Sequence, residues 1–141
     1  MLDVKFYDTI DDALLKFAVV ISQSKGKWVF CKHKERDTYE VPGGHREEGE
    51  DILETAKREL QEETGAVRFD IKPVCVYSVT GKTRVNETGE ETFGLLCYAD
   101  ISEFFRNLDS EIEKVVLMDE LPTDWTYPLI QPKLIEEFER R

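Results

Sequence analysis

The sequence predicts a mixed α/β (α+β) fold in which a mixed β-sheet is sandwiched between helices, an α/β/α arrangement. Three observations predict it. Short β-branched and aromatic runs recur along the chain, two segments carry apolar residues at helical spacing instead, and turn residues separate them. The chain has 141 residues, no internal repeat and no low-complexity linker, so residues 1–141 are expected to form one domain with a real core.

Phe17 to Ser22 (FAVVIS) is continuous and β-branched, the pattern of a buried strand. Ser24-Lys25-Gly26-Lys27 reads as a turn, and Trp28 to Lys32 as the second arm of a hairpin. Lys34 to Asp37 is a charged loop. Tyr39 to Val41 is a short extended piece ending at Pro42-Gly43-Gly44, where helix is excluded. A long helix starts near Glu50 or Asp51, whose acids suit the positive end of the helix dipole, and stops at Gly65. Its apolar stripe is Ile52, Leu53, Ala56 and Leu60. Val74 to Thr80 and Phe93 to Tyr98 are strands separated by the polar stretch Gly81 to Glu91. Ser102 to Asn107 reads as one or two helical turns, and Val115 to Met118 as a further short strand. Lys133 to Arg140 places Leu134, Ile135 and Phe138 at helical spacing and forms a terminal helix.

Charge narrows the function. Thirty acidic residues against nineteen basic ones give a net charge of -11. Such a surface repels nucleic acid and anionic lipid, so general nucleic-acid binding is disfavoured. A phosphorylated small molecule stays compatible if metal ions and a few local cations offset the repulsion. Cys31, Cys75 and Cys97 lie far apart in apolar runs with no CxxC pair, and read as buried free thiols. The start MLDVKFYD has no signal-peptide pattern, and no apolar run is long enough to span a bilayer. No membrane partner is expected, and a cytoplasmic location is the default.

The chemistry concentrates in Gly44 to Ala66, GHREEGEDILETAKRELQEETGA. Glu59, Glu62 and Glu63 fall on one narrow helical face, beside the apolar stripe. Like charges at that spacing cost a helix roughly 0.2–0.5 kcal/mol per pair, so a cation should compensate, and hard divalent cations prefer carboxylate oxygens. Arg58 precedes Glu62 by four residues, a natural spacing for an ion pair that orients the carboxylate.

This segment resembles the signature of the Nudix hydrolase family. The matching residues are Gly44, Glu50, Arg58, Glu59, Leu60, Glu62, Glu63, Gly65 and Ala66, with Ala66 smaller than the aliphatic residue usual there. Seven fixed letters at ordinary usage would coincide by chance with odds of about 10⁻⁸ per starting position. The resemblance implies a Nudix-type α/β/α sandwich and a Mg²⁺ cofactor, with Mn²⁺ as a substitute. It implies Glu59, Glu62, Glu63 and the carbonyl of Gly44 as metal ligands, with Arg58, Glu59 and Glu62 in the catalytic group. Glu50 is the family's acid at the helix start and takes a structural role. For the general base, Glu111 precedes the VVLM strand in the place where some relatives carry a loop glutamate. Glu113 is the second candidate, followed by Glu87, Glu90 and Glu91.

The most similar branch is the MutT-like nucleoside triphosphate pyrophosphohydrolases. Lys32 aligns with a phosphate-contacting arginine of those relatives. Trp125 and Tyr127 offer planes for stacking on a base or for core packing. Gln131 falls near the position of their guanine-reading asparagine, which is not evident here. His33 and His45 stand alone in sequence, which argues against a transition-metal site at either. The expected substrate is a nucleotide, foremost a nucleoside triphosphate, intact or oxidised (8-oxo-dGTP-like), cleaved to monophosphate and pyrophosphate. RNA 5′-pyrophosphate removal is the alternative, with the net charge against it. A non-catalytic nucleotide-sensing module on the same fold is the reading from another class, and the intact acids oppose it. A homodimer is left open, since no apolar stripe marks an interface.

Overall fold

The computed structural model describes residues 2–83, 87–105 and 112–141, with the side chains of 112–114 outside that description. In chain order the elements are β1 (Asp3–Tyr7), a single 3-10 turn (Asp12–Leu14), β2 (Leu15–Ser24), β3 (Lys27–His33), β4 (Gly43–His45), α1 (Ile52–Thr64), β5 (Ala66–Thr80), β6 (Thr92–Phe104), β7 (Ile112–Met118) and α2 (Gln131–Arg140). Among the described residues, seven strands share one sheet in the order β1-β5-β6-β2-β3-β7, with β4 added against β2. The β2–β6 pair is parallel and the others are antiparallel, so the sheet is mixed as expected.

Alternation along the strands builds a core on each face. Ala18 and Val20 of β2 and Leu95 and Cys97 of β6 face one side, where Ile52, Ala56 and Leu60 of α1 cover them. Ile21 and Leu96 face the other side, beneath Leu134 and Ile135 of α2. Burying side chains of this size favours the fold by roughly 1.5–3 kcal/mol each. Tyr98 stacks on Phe138 at a centroid distance of 4.8 Å and fixes α2 further along.

The β2–β3 hairpin turns through Lys25 and Gly26, both with positive φ (53° and 79°), the twist that a two-residue hairpin favours. The motif helix α1 closes as the sequence predicts, on Gly65 at φ 75°, whose N–H donates to the Gln61 carbonyl. At its start the Asp51 N–H donates to Glu54 Oε1 at 3.0 Å.

Besides β4, which lies at Gly43–His45 while the extended piece read at Tyr39 to Val41 makes only isolated bridges, the structure departs from the sequence reading in three places. First, Asp3–Tyr7, not assigned from sequence, forms β1 against Val76–Thr80 of β5. Second, β5 begins at Ala66, directly after α1, rather than at Val74. Its first half lies beyond the reach of β1 and is largely exposed, so it lacks the apolar run that marks the second half. Pro73 is tolerated there because no β1 residue pairs with it, and the β6 register shifts beside it. Third, the helical turns read at Ser102 to Asn107 are strand as far as Phe104, which pairs with Ala66. Pairing along β5 overrides the weak local preference, and residues 106–107 lie outside the described set. No helix among the described residues is long and apolar enough to cross a membrane.

Candidate active site

A division of β2 creates the site. The same side of this strand pairs with β3 through Ser22–Ser24 and with β4 through Phe17–Val19. β3 runs away toward β7, while β4 turns back toward α1. A cleft of about 1510 Å³ opens between them, with His33, Glu40, Gly43, Glu59, Glu62 and Glu63 on its wall.

Arg58 ties the acidic helix to the loop before it. Its Nε donates to Glu50 Oε2 at 2.6 Å, Nη1 donates to Glu59 Oε1 at 2.6 Å, and Nη2 donates to the His45 carbonyl at 2.9 Å. Nη1 also reaches Glu62 Oε2 at 3.4 Å, the spacing expected from sequence. Glu50 is held on every side: it accepts from Thr55 Oγ1 at 2.7 Å and from the Glu47 N–H at 3.0 Å. The Arg58 guanidinium first, then these donors, draw the Glu50 carboxyl down to about 2. The same pairing raises Arg58. Glu50 thus joins Arg58 and Thr55 of α1 to the loop at Glu47.

The three helical acids differ in setting. Glu62 stands at the rim, 56% exposed. Glu59 is mostly covered and sits over Gly44, where a Cβ would collide with its carboxylate. Glu63 is the innermost. Burial pushes its carboxyl up to about 9, against the opposing effect of the Gly43 N–H, which donates to Glu63 Oε1 at 3.0 Å. The charges of Glu59 and Glu40 push in the same direction as burial. Crowded, desolvated carboxylates of this kind suit a hard cation that would replace the missing water.

The sheet register distinguishes Gly43 from Gly44. The Val20 N–H donates to Pro42 O and the Arg46 N–H to Lys16 O, so 42/20 and 46/16 are bonded positions of the ladder, each with one bond. Alternation makes Ala18↔Gly44 a ladder pair too, and Val19↔Gly43 a non-bonded one. The Gly43 backbone therefore faces away from β2, toward α1, as its bond to Glu63 attests. The backbone oxygen turned toward the acids is that of Gly43, one residue before the one read from sequence.

The remaining sequence candidates scatter. Lys32 lies off the cleft wall, its Nζ 3.4 Å from the His33 carbonyl and 3.9 Å from Asp37. Trp125 also lies off the wall and packs edge-on against Phe30 at 5.5 Å, within the core under α2. Gln131 does line the cleft, nearly buried, and its Oε1 accepts the Val41 N–H at 2.9 Å. Tyr127, Glu87 and Glu90 line it as well. Glu91 is engaged elsewhere, accepting from Tyr7 Oη at 2.8 Å and Ser78 Oγ at 2.7 Å. Glu111 lies outside the described residues, as does the side chain of Glu113. The sequence reading missed the companions of Glu63. His33, taken there as solitary, meets Glu40 and Glu63 in space. The cysteines are free and buried as expected, and burial raises all three thiols.

Comparison with known proteins agrees with this geometry. The family model described as NUDIX domain matches residues 14–138. YtkD of Bacillus subtilis (strain 168), provisionally named an 8-oxo-dGTP diphosphatase, is 37% identical over 108 residues, 76% of this chain. The chain spans 64% of the length of that curated relative. The crystal structure of the Bacillus subtilis pyrophosphohydrolase BsRppH is similar over 99% of this chain and 90% of that one, with a TM-score of 0.78 and 28% identity. A NUDIX hydrolase from Nitrosomonas europaea shares the fold over 89% of each chain, with a TM-score of 0.69 and 22% identity. With the family model spanning nearly the whole chain and the motif's acids gathered on one cleft, this chain belongs to the NUDIX domain family.

Proposed function

We propose that the protein is a Mg²⁺-dependent pyrophosphohydrolase acting on a nucleoside triphosphate, intact or oxidised, with monophosphate and pyrophosphate as products. The observation that carries this reading is the set of three motif acids converging on one cleft, locked by Arg58 and the Gly43 N–H. The provisional name of YtkD and the pyrophosphohydrolase title of BsRppH point the same way.

The donor set fits a hard cation: carboxylates from Glu59, Glu62 and Glu63, and the Gly43 carbonyl in place of Gly44's. A bound divalent ion supplies neutralisation of the phosphate oxygens and activation of the attacking water. The chain's own residues do the rest. Arg58 holds Glu59 and the His45 carbonyl in one geometry, so the acids need not reorganise when substrate arrives. The cleft walls orient the polyphosphate. Glu111 is assigned as the base that takes the proton of the attacking water. Water adds to phosphorus, the phosphoanhydride bond breaks, and pyrophosphate leaves. Gln131 and Tyr127, which line the cleft, are assigned to the nucleoside end ahead of Lys32 and Trp125, which do not line it.

The test is turnover of a nucleotide panel with Mg²⁺, with product identification, for the wild type, Glu62→Gln and Glu63→Gln. Pyrophosphate release that falls at least about 100-fold in both variants is expected. Full activity in both would sink the assignment. Including 5′-triphosphorylated RNA separates the alternative: rates on RNA rivalling those on free nucleotides would make RNA the substrate.

A further inference from the structure

Beside the acids tied to Arg58, the cleft wall carries a second group of donors. His33 ends β3, Glu40 lies in the segment between β3 and β4, and Glu63 is the innermost acid of α1. Each brings a ligand atom to within 4.8 Å of the other two. No local sequence constraint makes them meet; the division of β2 does. The Glu40 side chain is 8% exposed and that of His33 21%, so neither is a solvated surface group. His33 Nε2 lies 3.5 Å from Glu40 Oε2, and Arg36 Nη1 lies 3.4 Å from Glu40 Oε1. Glu63 commits one oxygen to the Gly43 N–H and keeps further lone pairs for the cleft.

An imidazole with two carboxylates differs in kind from the all-oxygen set of the motif. Mg²⁺ takes oxygen ligands and keeps its water reluctantly shed, whereas first-row transition dications accept imidazole nitrogen readily. Three protein donors with room left for solvent or substrate is a common arrangement in catalytic transition-metal sites. We propose that His33, Glu40 and Glu63 form a nitrogen-containing cation subsite on the cleft wall that favours a first-row transition dication over Mg²⁺. The proposal rests on the cation-dependent reading above and adds a ligand type and a metal preference to it. The competing account is a His33 that only pairs with the two acids and holds no metal.

Mn²⁺ binding to the full chain, read by pulsed electron paramagnetic resonance and by titration calorimetry, distinguishes them. Bound Mn²⁺ is expected to show ¹⁴N modulation from a directly ligated imidazole. In His33→Gln the modulation vanishes, and Mn²⁺ affinity falls at least about tenfold while Mg²⁺ affinity changes much less. Glu40→Gln, a second variant should the first fail to fold, weakens Mn²⁺ and keeps the modulation. Mn²⁺ bound without ¹⁴N modulation, or with modulation that persists in His33→Gln (as a His45 contact would give), overturns the subsite and leaves the pyrophosphohydrolase reading standing. Absence of both Mn²⁺ and Mg²⁺ binding overturns both.

Discussion

Arg58 and Glu50 show how much one residue pair organises. Arg58 donates to Glu50, Glu59 and the His45 carbonyl, and so fixes the acidic face against the preceding loop. Glu50, drawn from its usual 4.5 to about 2, adds a stability term of definite sign. A depressed carboxylate stabilises the fold fully above its unfolded value and loses that contribution as pH falls through its folded value. Wild type should therefore be more stable than Glu50→Gln at neutral pH. The gap should close as pH drops from about 4.5 toward about 2, as followed by urea denaturation across that range. A gap independent of pH would assign the effect to packing rather than charge. At this scale the motif acids were legible because they are neighbours in sequence. His33 and Glu40 were not, because only the route of the chain around β2 brings them to Glu63. The choice of Gly43 over Gly44 was equally hidden, since it depends on which residues of β4 share ladder bonds.

Elements were legible where pattern and punctuation agree. α1 carries its stripe of Ile52, Ala56 and Leu60 between an acidic first turn and Gly65, and the structure places it as read. The stripe anchors the helix and so sets the depth of the acids opposite Gly43 and Gly44. Leu60, fully buried, is the centre of that anchor. Leu60→Ala is expected to destabilise the protein by about 2–5 kcal/mol, with a matching fall in the chemical-denaturation midpoint. A loss below ~1 kcal/mol would mean that the helix is held mainly by its polar contacts. Elsewhere the signal failed for definable reasons. β1 is short and only half-buried, and the first half of β5 is an exposed edge. Both do alternate, Val4 and Phe6 with Asp3 and Lys5, and Val67, Phe69 and Ile71 with Arg68, Asp70 and Lys72, but neither carries the continuous apolar run by which the other strands were read.

On the scale of the molecule, a surplus of negative charge surrounds a cleft that already strains to hold its own acids. Glu63, raised to about 9, prefers to be protonated. A raised carboxyl favours the fold below its unfolded value and costs stability as pH climbs through the folded one. Protein treated with chelator should therefore lose stability between about pH 4.5 and pH 9. Mg²⁺ should restore it, by about 2.7 kcal/mol at a hundredfold excess over its dissociation constant, and should do so far more at pH 8 than at pH 5. Thermal unfolding with and without the ion reads this directly, and an equal effect at both pH values would remove Glu63 from the ligand set. The central parallel pair has a consequence for how the molecule is assembled. β2 lies beside β6 with Val20 opposite Cys97, so the sheet's middle closes a loop of most of the chain before it can form. The motif helix is local and can form within microseconds, whereas contacts so distant along the chain set the slow step of folding. β4 has no place to pair until β2 is seated, so the competence to bind a cation should appear with the last refolding phase rather than with the first helical signal.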